Sequence, residues 1–261
     1  ITPTFQTNYI YPLNKETSEF NNLITPKLSL RFSLPSSKDV RKKDRSIGYS
    51  NIYDLDRLGM TEASEGGVSA TYGYEFVKVD KSNFDEKIKF GFANNVRFEE
   101  NKDLPASSNL GDKVSDFVGL FEYKHSENLK FNYDFSLKNN LEDKNYELFG
   151  FEYYLSKLST KFEYLNKNNS NLNTSYLKNE TRFNFDEKNS LIFETSENKE
   201  KSFTEFYNLI YQYENDCLKA GIEYNKEYYS DGDLKPSENL FFKITILPFG
   251  GFNTPNLKWL Y

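Results

Sequence analysis

Apolar and polar residues alternate along most of this chain, and this two-residue period constrains its fold more than any other feature. The segment 129–137 reads LKFNYDFSL, and the segments 26–34, 67–77, 86–98 and 158–166 follow the same pattern. A strand sends successive side chains to opposite faces, whereas a helix distributes them around its circumference. The period therefore predicts extended strands over nearly the whole sequence.

The alternation predicts about 13 strands separated by polar connectors. Most have about 9–11 residues, the length at which a tilted strand crosses a bilayer. Short connectors, such as 126–128 and 156–157, alternate with long ones, such as 35–66 and 99–113, as in outer-membrane barrels. The first connector, 12–25, is longer than this series predicts. The expected strands are 3–11, 26–34, 67–77, 86–98, 114–124, 129–137, 145–155, 158–166, 175–185, 190–197, 202–213, 217–227 and 238–247.

Composition limits the fold classes that such strands can build. Mean hydropathy is −0.75, and no run of about 20 apolar residues is present, which excludes a helical membrane protein. Aromatic residues make up 17% of the chain, which excludes a disordered one. A soluble sandwich also alternates, with its apolar face turned inward.

Three features favour an all-β, antiparallel transmembrane β-barrel over the soluble sandwich. The strands are longer than the usual 5–6 residues of a sandwich. Polar residues recur on one face of every strand, which requires a wet lumen. Tyrosines lie near strand ends, as an interfacial aromatic girdle requires. These tyrosines are Tyr9, Tyr11, Tyr123, Tyr153, Tyr164, Tyr213 and Tyr224.

Several functional classes have no sequence signal. One His and one Cys exclude a His/Cys metal site and an internal disulfide framework. The net charge is −6, and only the segment 38–45 is rich in Lys and Arg, so no nucleic-acid partner is indicated. No nucleophile accompanies His125, and the stretch 65–67 lacks the rest of a phosphate-binding loop. We expect no enzyme activity and no cofactor, and a glycine-permitted bend at 65–67.

The beginning of the chain and the strand count bear on its completeness. The sequence starts at Ile1 without an initiator Met or a signal peptide. An odd number of strands does not suit a single-chain bacterial barrel, which has an even number. We therefore expect a fragment of a larger barrel, truncated at its front.

Two stretches resemble the barrel domain of LptD, the lipopolysaccharide-assembly family also called OstA or organic-solvent-tolerance protein. The first, 23–76, contains LITPKLSLRFSLPSSKDV and IGYSNIYDLDRLGMTEASEGGVSATYGYEF; the second, 211–249, contains a Tyr-rich strand, a cysteine-bearing turn and a last strand. The part between 86 and 210 matches only as generic barrel strands. The matching residues of the first stretch are Pro26, Pro35, Tyr49, Asn51, Tyr53, Leu55, Asp56, Arg57, Gly59, Glu65, Gly66 and Gly67.

This resemblance implies that residues 1–261 are the C-terminal half of a barrel of about 26 strands, without its first half and its periplasmic jellyroll. It implies an outer-membrane translocon subunit that inserts lipopolysaccharide into the outer leaflet through a hydrophilic lumen and a lateral gate. The implied partners are lipopolysaccharide, outer-membrane lipids, an LptE-like plug lipoprotein and, through the jellyroll, a periplasmic LptA-like bridge. The last strand would border the gate with Leu240, Phe242, Ile244 and Ile246.

Individual residues carry alternative interpretations. The resemblance implies a disulfide from Cys217 to the N-terminal domain, and the alternative is an ordinary small residue at a strand start. Asp56, Arg57 and Gly59 either order a loop over the lumen or form a local salt bridge and turn. Lumenal cations either pair with lipopolysaccharide phosphates or are neutralised within the wall by Glu75, Asp134, Glu152 and Glu163. These cations are Lys27, Arg31, Lys87, Lys89, Arg97, Lys130, Lys161 and Lys243.

Two other functional classes remain open from the sequence. A passive porin or receptor-type barrel would have the same alternation without a partner lipoprotein. A soluble all-β adhesin or surface-layer protein would have it with the apolar face turned inward.

Overall fold

A computed structural model describes residues 3–34, 38–60, 63–168, 173–228 and 236–246, and the regular secondary structure of this part of the chain is almost entirely β-strand. One short 3-10 turn, Ala106–Ser108, interrupts it. Within these residues no helix is long and apolar enough to cross a membrane. The strands are β1 Thr4–Ile10, β2 Leu13–Glu16, β3 Phe20–Ser33, β4 Gly67–Asp80, β5 Glu86–Arg97, β6 Phe117–Ser126, β7 Leu129–Leu137, β8 Lys144–Tyr154, β9 Leu158–Asn168, β10 Asn173–Asn184, β11 Asn189–Asn198, β12 Phe203–Glu214, β13 Leu218–Glu227 and β14 Ser237–Ile246.

The strands form an antiparallel sheet that follows the order of the chain. The order is β1-β3-β4-β5-β6-β7-β8-β9-β10-β11-β12-β13-β14, with β2 paired to β3 beside this path. In the described residues β1 and β14 do not pair with each other, so the sheet is open. The antiparallel all-β prediction is confirmed, whereas closure into a barrel stays a prediction.

The expected 13 strands become 14 because the long first connector contains β2. Leu13–Glu16 pairs with the residues from Asn21 to Ile24, and β3 begins at Phe20 rather than at 26. Pro26 stands at the start of the predicted strand 26–34, and proline usually marks the start or the edge of a strand. Here it lies inside β3, where its carbonyl accepts a hydrogen bond of 3.2 Å from the Tyr11 amide.

The two faces of the sheet differ in how far their side chains are exposed. A soluble sheet would bury its apolar side chains and expose its polar ones, whereas β3 shows the opposite. On β3, Phe32 is 49% exposed, whereas the neighbouring Arg31 is 5% exposed. Leu28 and Leu30 are exposed with Phe32, and Ser29 is buried with Arg31. We call the first surface the apolar face and the second the polar face. Apolar side chains are thus exposed on one side, while polar side chains are covered on the other.

Two compact units divide the chain by their internal contacts. The first comprises Ile1–Phe151 and Tyr164–Ser175, and the second comprises Glu152–Glu163 and Tyr176–Tyr261. In the described residues of the second unit, Ile192 is the one buried large hydrophobic residue. The apolar core is therefore a property of the first unit.

That core lies on the polar face, beneath two loops of the first unit. The first loop comprises residues 38–60 and 63–66, and the second comprises residues 98–116. Apolar side chains of both loops pack on small and apolar residues of β5 and β6, so the loops cover this part of the polar face. The cluster consists of Ile47, Tyr49, Ile52, Leu58, Ala93, Leu104, Leu110, Val118 and Leu120.

Gly91 of β5 provides the space for this packing. The ring of Tyr49 lies directly against it, and a Cβ atom at position 91 would come within 2.5–2.9 Å of three ring carbons. We expect Gly91→Ala to push Tyr49 and the first loop away from the sheet, at a cost of about 1–3 kcal/mol. The measurement is the rate of tryptic cleavage after Lys42 and Lys43, which are exposed in the same loop.

Gly221→Ala in β13 is the matched control, because the nearest atom to its added Cβ is the Tyr211 carbonyl oxygen at 3.4 Å, an ordinary contact. Cleavage should accelerate in Gly91→Ala and stay at the wild-type rate in Gly221→Ala. Equal rates in all three proteins would contradict the packing of Tyr49 on β5.

Candidate functional site

The first loop is fixed to the sheet by a buried cluster of three arginines around one carboxylate. Glu65 accepts a hydrogen bond of 2.8 Å from Arg57 Nε to its Oε2 atom, and Arg57 Nη2 donates to Oε1. Arg97 Nη1 donates to Oε1 at 2.6 Å. Arg31 Nη1 lies 3.8 Å from Oε2 and donates to the Glu65 backbone carbonyl at 2.6 Å. Two arginines therefore bond the carboxylate directly, and the third adds its charge at a longer distance.

Strand register brings these groups together. Arg31 on β3 and Arg97 on β5 are both cross-strand partners of Ser69 on β4, so both guanidinium groups lie on the polar face beside the start of β4. Gly67, at that start, has a φ of +98°, a conformation that glycine adopts readily. A Cβ atom there would also lie 2.7 Å from Arg97 Nη2. The predicted glycine bend is confirmed, and it leaves room for the arginine.

Arg57 connects the loop to two strands as well as to Glu65. Its Nη2 atom donates to Ser69 Oγ at 3.0 Å. Its Nη1 atom donates to Thr71 Oγ1 at 3.0 Å and to Asn95 Oδ1 at 2.9 Å. One side chain of the loop therefore bonds to both β4 and β5.

The other motif residues of this loop have local or backbone roles. Asp56 Oδ1 accepts a 3.0 Å hydrogen bond from the Gly59 amide, and Gly59 has a φ of +57°. The Leu55 carbonyl accepts a hydrogen bond from Arg31, and the Gly66 carbonyl accepts one from Arg97. Both sequence interpretations therefore hold in part: Asp56 and Gly59 form a local turn, whereas Arg57 holds the loop over the polar face.

The cluster places more positive than negative charge in a buried site. Arg31, Arg57 and Arg97 are 3–5% exposed and Glu65 is 1% exposed, so three guanidinium groups and one carboxylate give a formal charge of +2. Burial alone would raise the pKa of Glu65, but the charges of Arg57, Arg31 and Arg97 outweigh it and hold the pKa below its ordinary value. Glu65 is therefore ionised, and as a counter-ion it offsets part of the free-energy cost of burying the three guanidinium groups.

A cavity of about 720 Å³ lies between the first loop and the sheet. Lys27 Nζ forms an ion pair of 3.1 Å with Glu75 Oε1, and it lies 5.5 Å and 5.7 Å from the ring centroids of Tyr49 and Tyr53. Tyr49 also donates to Glu75 Oε2 at 3.2 Å. Burial, and then the charge of Glu75, raise the pKa of both tyrosines. Both hydroxyls therefore stay neutral, and Tyr49 donates to Glu75, whereas the buried Tyr53 hydroxyl has no hydrogen-bond partner among the described residues.

Of the remaining predicted lysines, Lys89 alone shares this cavity with Lys27 among the described residues. Lys89 lines the same cavity, opposite Glu122 and Asp134. Lys87 pairs with Asp85 at 3.4 Å, and Lys130 is exposed on β7. In the second unit, Lys161 pairs with Glu152 at 3.6 Å and Lys243 pairs with Glu223. Ion pairs within the wall thus neutralise several of these cations.

Cys217 and the last strand belong to the second unit, whereas the loop cluster belongs to the first. Cys217 is an exposed free thiol in the turn between β12 and β13, where its amide donates to Asn215 Oδ1 at 3.0 Å. The row on β14 that consists of Leu240, Phe242, Ile244 and Ile246 is exposed on the apolar face. Of the described strands, β13 is the one that pairs with β14.

Sequence reasoning identified Arg31 and Arg57 as site residues but missed the central role of Glu65. The alternation places Arg31 and Arg97 on the polar face, and it says nothing about which loop residue meets them. The available signal was Glu65 itself, a carboxylate directly before a glycine pair, which was interpreted as a motif residue and as part of a bend but not as a counter-ion.

The chemistry of this site is charge pairing and hydrogen bonding. Among the described residues, no group of three or more His, Cys, Asp or Glu side chains is arranged to hold a metal ion. No protein-family model and no curated protein matches this sequence.

Glu65→Gln tests the charge balance of the cluster. It removes the counter-ion of three buried guanidinium groups, so we expect it to lower the free energy of unfolding by about 3–5 kcal/mol at neutral pH. Because the folded-state pKa of Glu65 lies below its ordinary value of 4.5, this stabilisation is complete above pH 4.5. It is lost as the pH falls through the folded-state value.

The measurement is equilibrium unfolding in urea as a function of pH. The difference between wild type and Glu65→Gln should be constant above pH 4.5 and shrink below it, while Glu187→Gln, in an exposed turn of the second unit, should unfold like wild type. A small difference at pH 7, or one that grows towards acid pH, would show that Glu65 does not balance the arginines.

Proposed function

We propose that this chain forms part of the wall of an outer-membrane β-barrel that inserts lipopolysaccharide into the outer leaflet. The observation that carries the proposal is the exposure pattern of the sheet. On β3, Leu30 and Phe32 are exposed on one face while Ser29, Arg31 and Ser33 are covered on the other. In water this arrangement exposes the apolar surface that soluble proteins bury. Against hydrocarbon it is the favourable one.

Strand length and pairing are consistent with a bilayer environment. β3 and β4 have 14 residues each, and β12 has 12, whereas a tilted strand needs about 9–11 to cross the hydrocarbon core. Backbone groups inside a membrane must bond to neighbouring strands. Among the described strands, the sequential antiparallel order leaves two edges of the sheet open, one at β1 and β2 and the other at β14. In our proposal these two edges join further strands of a closed barrel.

The assignment to lipopolysaccharide export comes from the resemblance to the LptD family. The residues that carry the resemblance include Arg57, Glu65 and Gly67. Arg57 and Glu65 anchor the first loop, and Gly67 leaves room for Arg97 beside them. A loop held firmly over the polar face suits a barrel whose lumen guides a large cargo. This agreement between the motif and the anchor supports the family proposal.

The gate and the partners follow from the same proposal. β14 would be the last strand and border the lateral gate, since an edge with few hydrogen bonds opens more easily than an interior strand pair. Cys217, exposed in a short turn, would form the disulfide to the N-terminal domain. An LptE-like lipoprotein would plug the lumen, and an LptA-like bridge would deliver the lipopolysaccharide. Lys27 and Lys89 would be among the residues that contact the phosphates of the lipopolysaccharide.

Depletion of the full-length protein in its own cells tests the export function. We expect lipopolysaccharide to disappear from the cell surface and to accumulate inside the cell envelope, because the barrel would carry out the last step of its transport to the outer leaflet. Surface labelling of lipopolysaccharide measures this, with a plasmid-borne wild-type copy as the control that restores export. Normal surface lipopolysaccharide after depletion would rule the function out.

A passive porin is the alternative, and one observation favours it. The second unit has almost no apolar core in its described residues, and its polar face carries compensated charges such as the pairs of Lys161 and Lys243. Such a face suits a water-filled pore. A stable ion conductance in planar bilayers without any partner lipoprotein, together with normal lipopolysaccharide export after depletion, would identify the porin.

A further inference from the structure

A second pocket in the first unit has walls made mainly of asparagine amides. It has a volume of about 380 Å³, within the usual range for small-molecule sites. Its position differs from that of the cavity beneath Tyr49 and Tyr53, and no part of the export proposal uses it. Its lining consists of Asn109, Asn145, Asn168, Asn173, Lys138, Ser107 and Ala106.

A buried carboxylate behind the pocket fixes the direction of two of these amides. Asp116 is 1% exposed. Its Oδ1 atom accepts a 2.6 Å hydrogen bond from Asn109 Nδ2, and its Oδ2 atom accepts bonds of 2.6 Å from Asn145 Nδ2 and 2.9 Å from Ser136 Oγ. Because each amide points its nitrogen at Asp116, its oxygen points the other way. Asn109 and Asn145 are therefore oriented as acceptors.

The acceptor atoms have no partner within the described residues. No donor there reaches Oδ1 of Asn109, Asn145 or Asn168, and Asn168 uses its Nδ2 atom to bond the Lys144 carbonyl at 3.3 Å. Asn109 itself has a φ of +49°, a left-handed conformation that asparagine tolerates better than most residues. The backbone of the second loop is thus shaped to hold this amide in place.

The charge distribution selects the kind of ligand. Hydrogen bonds already occupy both oxygens of Asp116 and Lys138 adds a positive charge to the lining, so a metal cation would meet neutral amide oxygens beside an ammonium group. An anion would meet three amide oxygens and the carboxylate behind them. A hydroxyl group fits, because it donates to an amide oxygen and accepts from the Lys138 ammonium group.

We propose that this asparagine pocket binds a neutral, polyhydroxylated ligand, a single carbohydrate residue. Several hydroxyl groups on one ring satisfy several acceptors at once, which an alcohol with a single hydroxyl group cannot do. The assignment does not rest on lipopolysaccharide export, since any neutral glycan residue carries the same groups.

The test is isothermal titration of the full chain with the methyl glycosides of glucose, galactose and mannose. We expect at least one to bind with a Kd on the order of 1 mM, as suits a small open site. Asn168→Leu and Asn173→Leu should each weaken that binding about tenfold, because they remove amides from the lining. Neither residue bonds Asp116, so its hydrogen bonds stay intact.

Asn128→Leu is the matched control, since Asn128 is exposed in the turn between β6 and β7, outside the pocket. It should bind like wild type, and the tryptic pattern of all variants should match wild type if they are folded. Inorganic phosphate and Ca²⁺ are titrated in parallel. The proposal is overturned if no glycoside binds at a glycoside concentration 10-fold above the expected Kd, or if the pocket variants bind the glycoside like wild type. It is also overturned if the pocket variants abolish binding of phosphate or Ca²⁺ instead.

Discussion

The structure depends on a division between two faces, which β3 shows most clearly. Apolar side chains such as Leu30 and Phe32 are exposed on one face, and polar side chains such as Ser29 and Arg31 lie on the other, where loops cover them in the first unit. An open sheet in water gains nothing from such exposure. Hydrocarbon against the apolar face would remove the penalty, which is why the proposed function begins with a membrane.

The polar face makes the anchor of the first loop possible. Burying three guanidinium groups would be prohibitive in an apolar core. Here Ser69, Thr71 and Asn95 offer oxygen acceptors beside the Glu65 carboxylate, so Arg57 is bonded on several sides. The same face holds Asp116 with its amide partners. One strand pattern thus supports both a fixed loop and an open pocket.

The sequence predicts the repeating part of this molecule well and its loop contacts poorly. The segment 129–137 was predicted as the strand that the structure contains, because alternation is a local property. β2 was missed because its four residues are too few to establish a period. The contacts of Glu65 with Arg57 and Arg97 span 8 and 32 residues. Such contacts depend on how the loop folds back, which no local pattern specifies.

The orientation of the faces can be measured directly on β14 in liposomes. Phe242→Cys and Lys243→Cys, each in a Cys217→Ser background, place a spin label on adjacent positions of opposite faces. We predict that the label at 242 collides mainly with molecular oxygen dissolved in lipid, and the label at 243 mainly with a water-soluble nickel chelate. Equal accessibility of both labels to the chelate, or the reverse order, would contradict a lipid-facing apolar surface.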